Sequence, residues 1–469
     1  MASADPLADS VLLWTRTTRP SALRWLVAAD ADLQTVVATG KAEARPQADQ
    51  TVHVEVGGLD PATTYWYRFE RDEEQSPVGR TRTAASPGPA APGARLRLGV
   101  VSCSSYRSGY FNAYRHLARR QLDLVVHLGD YIYEGGPYSG RSGRAVRRVD
   151  PFRTASTLDH YRARHRQYRT DPDLLALHGL HPVCAIWDDH DIAGSAWTGG
   201  ASGHFSRWHG DWPSRLAAAT QAWREWVPLR SASGGDRREI FRTVPLGGLG
   251  DLFLLDTRLA GRDRPAAEGK RPVAFVAHGD RSLLGERQWR WLESGLATSE
   301  AAWKIVANQV VMAPIAAVGL GPGFGRNPDQ WDGYRAERQR LLGGAGQRGD
   351  QMVVLSGDLH SSWANELGAA VEFVTPAVSA APFSRLLLPP GRGIAEAAAW
   401  WLRRQNPHIR FCDLKRRGYM VLDVTAERVQ ADWWHLDTVA RPGGRETWAG
   451  GWTVAAGEKR LVAAVAPSD

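Results

Sequence analysis

The chain has 469 residues, 43% hydrophobic and 23% charged, a balance that excludes a disordered protein. No apolar run approaches the ~20 residues needed to cross a bilayer, and three cysteines far apart in sequence (Cys103, Cys184, Cys412) exclude a disulfide framework or a Cys-x-x-Cys zinc site. The net charge of +8 invites a nucleic-acid reading, but only five of the 58 basic residues are lysines and no nucleic-acid-binding motif is present, so no dedicated nucleic-acid partner is expected.

Residues 1–84 read as short strands between turns, at 10–17, 22–29, 35–44, 51–56 and 65–70. Apolar and polar residues alternate in Thr51-Val-His-Val-Glu-Val56, the period of a half-buried strand. The run Leu59-Asp-Pro-Ala-Thr-Thr-Tyr65 resembles the tyrosine corner of a fibronectin type III sandwich, where a tyrosine hydroxyl ties a chain crossover to nearby backbone. A Pro-, Gly- and Ala-rich stretch, 85–94, reads as a linker.

Beyond it the texture changes. Continuous apolar strands at 95–102, 122–128, 182–187, 250–255, 304–307 and 352–356 alternate with helices at 110–120, 215–226 and 286–296. This predicts an α/β catalytic domain over 95–438, its sheets covered on both faces. A helix is expected at 394–405, strands at 418–425 and 428–436 close the domain, and 439–469 carry no assignment. In such sheets ligands bind beyond the carboxyl ends of the strands.

Five of those ends carry ligand-type residues: Cys103, then Gly129-Asp130-Tyr131-Ile132-Tyr133-Glu134, Asp188-Asp189-His190-Asp191, Asn308-Gln309, and Gly357-Asp358-Leu359-His360. Singly, most have a bland alternative: Cys103 as a small buried hydrophobe, Asp130 as a turn residue, Asn308 as a hydrogen-bonding amide. Adjacent carboxylates beside an imidazole are costly to desolvate unless a cation or catalysis holds them. Convergence of all five sets on one edge of one inferred sheet argues for a shared site that binds a cation or carries out catalysis.

Asp130, Asp189-His190 and Asp358-x-His360, each after a strand, resemble the calcineurin-like metallophosphoesterases, and Asp130-x-x-Tyr133 is similar to a pair in the purple acid phosphatases. Ala2-Ser-Ala-Asp-Pro6, Ser10-Val-Leu-Leu-Trp-Thr-Arg16, Trp187-Asp-Asp-His190, Leu255-Asp-Thr-Arg258, Trp331-Asp-Gly-Tyr334 and Leu355-Ser-Gly-Asp-Leu-His-Ser-Ser-Trp363 narrow the resemblance to the PhoD-type alkaline phosphatases. It implies metallophosphoesterase-like mixed sheets flanked by helices after a small all-β, fibronectin III-like sandwich. It also implies hydrolysis of phosphate monoesters and diesters at an iron-plus-calcium centre, best above neutral pH. Export by the twin-arginine route is implied by resemblance alone.

In residue terms, Asp130 would bridge two cations. Cys103, Tyr133 and His360 complete a set suited to ferric iron, while Asp189, Asp358 and Asn308 line an oxygen-rich position suited to calcium, with manganese and magnesium left open. His190 is the candidate acid for the leaving oxygen, or else a partner orienting Asp189. Arg258 is a candidate phosphate clamp, or else a structural ion pair with Asp256. The segment Asp191-Ile-Ala-Gly-Ser-Ala-Trp197 departs from the acidic or Asn-containing run of many relatives, which puts one calcium contact in question. The rival readings are a dedicated phosphodiesterase with phospholipase-D-like activity and a catalytically impaired binding protein.

Overall fold

The computed structural model describes residues 1–136, 145–230, 239–265, 281–316, 327–388, 391 and 393–468. The sequence has short basic clusters at 141–148 and 237–238; residues 141–144 and 237–238 lie outside the described residues, as does His278.

Two large sheets form the catalytic layers. In the first, strands Leu96–Val101, Leu124–His127 and Pro182–Ala185 run parallel side by side, so their carboxyl ends share one edge. In the second, Gly250–Leu254, Trp303–Ala307, Met352–Ser356 and Ala370–Val374 are likewise parallel neighbours. These strands are short and almost wholly apolar because both faces are covered, and each fully buried Val or Leu contributes roughly 1.5–3 kcal/mol. One continuous core joins residues of both sheets, among them Val125, Leu252 and Val353. A bridge between Ser102 and Ala377 brings the strand-end edges together, so that loops from both sheets share one cleft. Antiparallel strands Gly418–Val424 and Arg428–Leu436 extend the first sheet, and Glu446–Ala455 and Val462–Ala464 give the final residues an ordered place at its far edge.

The N-terminal region is all-β, but its partners were not readable. Strands Val36–Ala44, Ser21–Ala28 and Thr64–Arg71 form a separate sheet with Glu74–Gln75 and Gly79–Arg82. Strands Ala2–Ala4, Ser10–Arg16 and Thr51–Gly57 instead join the first catalytic sheet, Ala2–Ala4 pairing in parallel with Pro182–Ala185. Hydrogen bonding therefore crosses the expected 85–94 boundary, and one side of the sandwich is shared with the catalytic layer. Alternation specifies which face of Thr51–Gly57 is buried, not which strand lies beside it. The Tyr65 hydroxyl accepts the Asp60 main-chain N–H at 2.9 Å, as the 59–65 run predicts.

Candidate metal centre

Four of the predicted donors are held in a backbone conformation that L-residues seldom adopt. Cys103, Asp130, Asp358 and His360 have φ of 60°, 54°, 60° and 52°. Each such residue costs of order 1–3 kcal/mol and persists where the surroundings over-determine it. Here each strand turns sharply as it leaves its sheet, aiming the next side chain into the cleft. Gly129, at φ 103°, makes the tightest approach: a Cβ there would lie 2.4 Å from Asp188 Cβ. The two strand ends carrying Asp130 and Asp188 can therefore meet only across a glycine.

The donor atoms of Cys103, Asp130 and His360 lie within 4.8 Å of one another, as do those of Asp130, Asp189 and His190, and of Asp188, Asp189 and Asp358. Asp130 and Asp189 link the three groups into one continuous cluster. Tyr133 adjoins it, its hydroxyl 3.0 Å from His360 Nε2. His360 Nδ1 donates to the Ala381 carbonyl at 2.7 Å, which fixes the tautomer and leaves the Nε2 lone pair facing the cluster. Cys103 is fully buried, packed with Ala377 and Ala380 against Tyr133.

Electrostatics argue for cations here. Burial, compounded by neighbouring carboxylates, pushes Cys103, Asp130, Asp358 and Tyr133 well above their usual ranges. Asp188 rises to about 6, chiefly through burial. Asp189 goes the other way despite its burial, drawn down by the His190 and Arg258 charges and by main-chain donors from Ser195 and His190. One atom is decisive: Asp188 Oδ2 is buried and has no hydrogen-bond partner among the described residues. A thiol, a phenol, an imidazole and clustered carboxylates with an orphaned oxygen fit metal ions, which would reverse the mutual repulsion of the ionised donors.

The structure brings Cys103, Asp130, Tyr133, Asp189, Asp358, His360 and His190 together. Asn308 is placed differently from a free ligand. Its Nδ2 donates to the Leu355 carbonyl and the Ser356 hydroxyl, and its Oδ1 already accepts the Trp331 indole N–H at 3.0 Å, leaving one lone pair. Arg258 matches neither expectation. Asp256 accepts the main-chain N–H groups of Arg258 and Leu259, while the fully buried guanidinium reaches Asp188, Asp329 at 2.8 Å and Asp358 at 3.2 Å. Each nitrogen of the fork donates to a carboxylate, which ties the group to Asp188, Asp329 and Asp358.

Sequence reading placed Glu134 and Asp188 at the strand ends but gave neither a role in the site. Glu134 Oε2 holds His190 Nδ1 at 2.8 Å, and its other oxygen accepts the Gly194 N–H at 2.9 Å. His190 stacks on Tyr133, with ring centroids 4.5 Å apart, and its side chain is 36% exposed, the accessible end of the cluster. Asp191, by contrast, accepts main-chain N–H groups from Asp188, Tyr131 and Ile132 and organises the turn. Gly194 and Ser195 donate through their main-chain N–H groups, to Glu134 and Asp189. Arg417 also stands near: its Nε donates to the Ala380 carbonyl at 3.0 Å, and Ala380 N–H donates to the Cys103 carbonyl.

Comparison with known proteins gives this geometry a family. Residues 98–433 match the family model for PhoD-like phosphatase, and residues 1–85 match that for the PhoD-like phosphatase N-terminal domain. The chain belongs to the PhoD-like phosphatases. It is 35% identical over 470 aligned residues to alkaline phosphatase D of Bacillus subtilis (strain 168), across 94% of this chain and 78% of that relative. The solved structure of PhoD superimposes with a TM-score of 0.88 at 33% identity, covering 100% of this chain and 92% of that one. Purple acid phosphatase PPD1 from yellow lupin shares the fold at TM-score 0.61 and 11% identity, covering 97% of this chain and 73% of that one. This PhoD-like phosphatase is a phosphoric ester hydrolase with a metallophosphoesterase-like fold, and its family and donor clusters imply metal ions. No helix among the described residues is long and apolar enough to cross a membrane.

Proposed function

We propose that this phosphatase hydrolyses phosphate monoesters and diesters at a two-cation centre, with Asp130 contributing to both positions. The observation that carries the reading is that Asp130 belongs at once to the Cys103–His360 group and to the Asp189–His190 group. Cys103, Asp130, Tyr133 and His360 are a donor set suited to ferric iron, and Asp130, Asp188, Asp189 and Asp358, with the remaining Asn308 lone pair, suit calcium. Bound cations would polarise the phosphoryl oxygens and acidify the attacking water.

The chain's own residues then divide the remaining work. Glu134 holds His190 Nδ1, so the proton available for the leaving oxygen sits on Nε2, at the exposed end of the cluster. Carboxylates on every side raise the His190 pKa well above its usual value against the effect of burial, favouring the protonated form. Arg258 is a positioning residue that holds Asp188 and Asp358 in place. Arg417 is the better candidate for contact with an anionic substrate. Among the described residues no carboxylate lies within ion-pair distance of it, and burial together with the nearby Arg385 charge lowers it to about 10.

The test is a rate comparison on p-nitrophenyl phosphate and bis(p-nitrophenyl) phosphate, before and after calcium chelation. Turnover of both esters, lost on chelation and restored by calcium, supports the proposal. Turnover of the diester alone favours a dedicated phosphodiesterase, and rates indifferent to chelation contradict the second cation.

A further inference from the structure

A second cationic feature lies at the opposite end of the first catalytic sheet. A cavity of about 750 Å³ is lined by Arg80, Arg82, Arg95, Arg97 and Arg120, with Asp123 the single carboxylate in its wall. That volume is in the range of ordinary ligand pockets. We propose that this cavity binds a small, multiply charged oxyanion at a site separate from the hydrolytic centre.

The arginines come from separate parts of the chain. Arg80 and Arg82 are two apart on the extended strand Gly79–Arg82, so they share a face, and Arg95 and Arg97 do the same at the start of Leu96–Val101. Arg120 follows helix Asn112–Leu117 and stacks over Trp434, 3.8 Å from its ring centre. The site thus spans the N-terminal all-β region and the catalytic layer.

Among the described residues, counter-ions fall short of the cations. Arg82 pairs with Asp123 at 2.9 Å, Arg120 with Glu446 at 2.9 Å, and Arg95 with Asp423, which also lies 3.9 Å from Arg97 and 3.3 Å from Arg428. Among the described residues, three carboxylates therefore serve four of the five lining guanidinium groups and Arg428 as well. Arg80 has no carboxylate within 4.0 Å among the described residues. It donates to the Leu180 carbonyl at 3.2 Å and the Thr64 hydroxyl at 3.4 Å. Burial, with the like charge of Arg82 beside it, lowers its pKa against the opposing pull of Asp123. Guanidinium forks match the oxygens of phosphate and sulfate groups bidentately, and several in one concavity favour a ligand carrying more than one such group.

Position separates this cavity from the hydrolytic cleft. Arg97 and Cys103 are six positions apart along the strand and its exit, and at about 3.3 Å per residue the two ends are roughly 20 Å apart. A ligand here would not extend the substrate-binding surface; it would fasten the N-terminal region to the catalytic layer.

The probe is myo-inositol hexasulfate, which carries no phosphate ester for the enzyme to hydrolyse, titrated calorimetrically into the full metal-loaded protein at low salt. We expect one site per chain, affinity that falls as salt rises, and at least a tenfold loss in Arg80→Ala/Arg82→Ala, with hydrolysis of p-nitrophenyl phosphate unchanged. Asp130→Ala should bind the probe as the wild type does, which keeps this test independent of the hydrolytic reading. The single substitution Arg80→Ser serves if the double variant melts early. Absence of binding, affinity equal in wild type and both arginine variants, or binding lost in Asp130→Ala and competitive with substrate would each overturn the proposal.

Discussion

Arg258→Met is the substitution that most sharply separates positioning from substrate contact. The methionine keeps an apolar stem but removes the charge that Asp188, Asp329 and Asp358 share in a fully buried setting. Removing one member of a buried ion-pair network costs about 3–5 kcal/mol, because the remaining charges stay desolvated and unpaired. An unfolding entropy of ~2.1 cal/mol/K per residue over 469 residues gives about 1 kcal/mol/K. In chelator, the melting temperature should therefore fall by about 3–5 °C if the chain unfolds as one unit. With cations present the gap should narrow, since they supply the missing positive charge to Asp188 and Asp358. In kinetics, kcat and metal content should fall together with little change in KM. A melting temperature equal to that of the wild type in chelator would refute this reasoning. So would a rise in KM with kcat and metal content intact, which would restore Arg258 as a phosphate clamp.

Further substitutions probe the rest of the centre. Cys103→Ser should lose iron and any charge-transfer colour, measured by elemental analysis and visible absorption, while circular dichroism stays native. Glu134→Gln weakens the hold on His190 Nδ1 and should lower kcat about 10–100-fold with the metals retained, and an unchanged kcat would dismiss the positioning role. Gly129→Ala forces a Cβ to 2.4 Å from Asp188 Cβ and 2.7 Å from its main-chain nitrogen, so the two strand ends must separate. Metal content and activity should both collapse, and full activity in this variant would show that the close approach is dispensable.

Much of the centre was legible because parallel strands announce themselves. Apolar runs such as Leu124–His127 and Met352–Ser356 end abruptly in polar residues, and parallel pairing obliges those ends to share an edge. Less legible was the division of labour among neighbours of one chemical type. Asp188, Asp189 and Asp191 look alike in sequence, yet one takes Arg258 and keeps an orphaned oxygen, one joins both donor groups beside it, and one accepts three main-chain amides. Arg258 was misread for a related reason. Its partners Asp188, Asp329 and Asp358 lie 70 to 100 residues away, whereas the local pattern pointed to Asp256. The N-terminal strands show the same limit. Period-two alternation marked them as half-buried, but pairing across the linker depends on a neighbour that alternation does not encode.

The central claim is that one carboxylate, Asp130, serves two cations, and metal stoichiometry tests it most directly. Elemental analysis of natively purified wild type, set beside Asp130→Ala of native secondary structure, should show iron and calcium together in the first and loss of both in the second. Retention of either metal at full stoichiometry in Asp130→Ala would contradict the account.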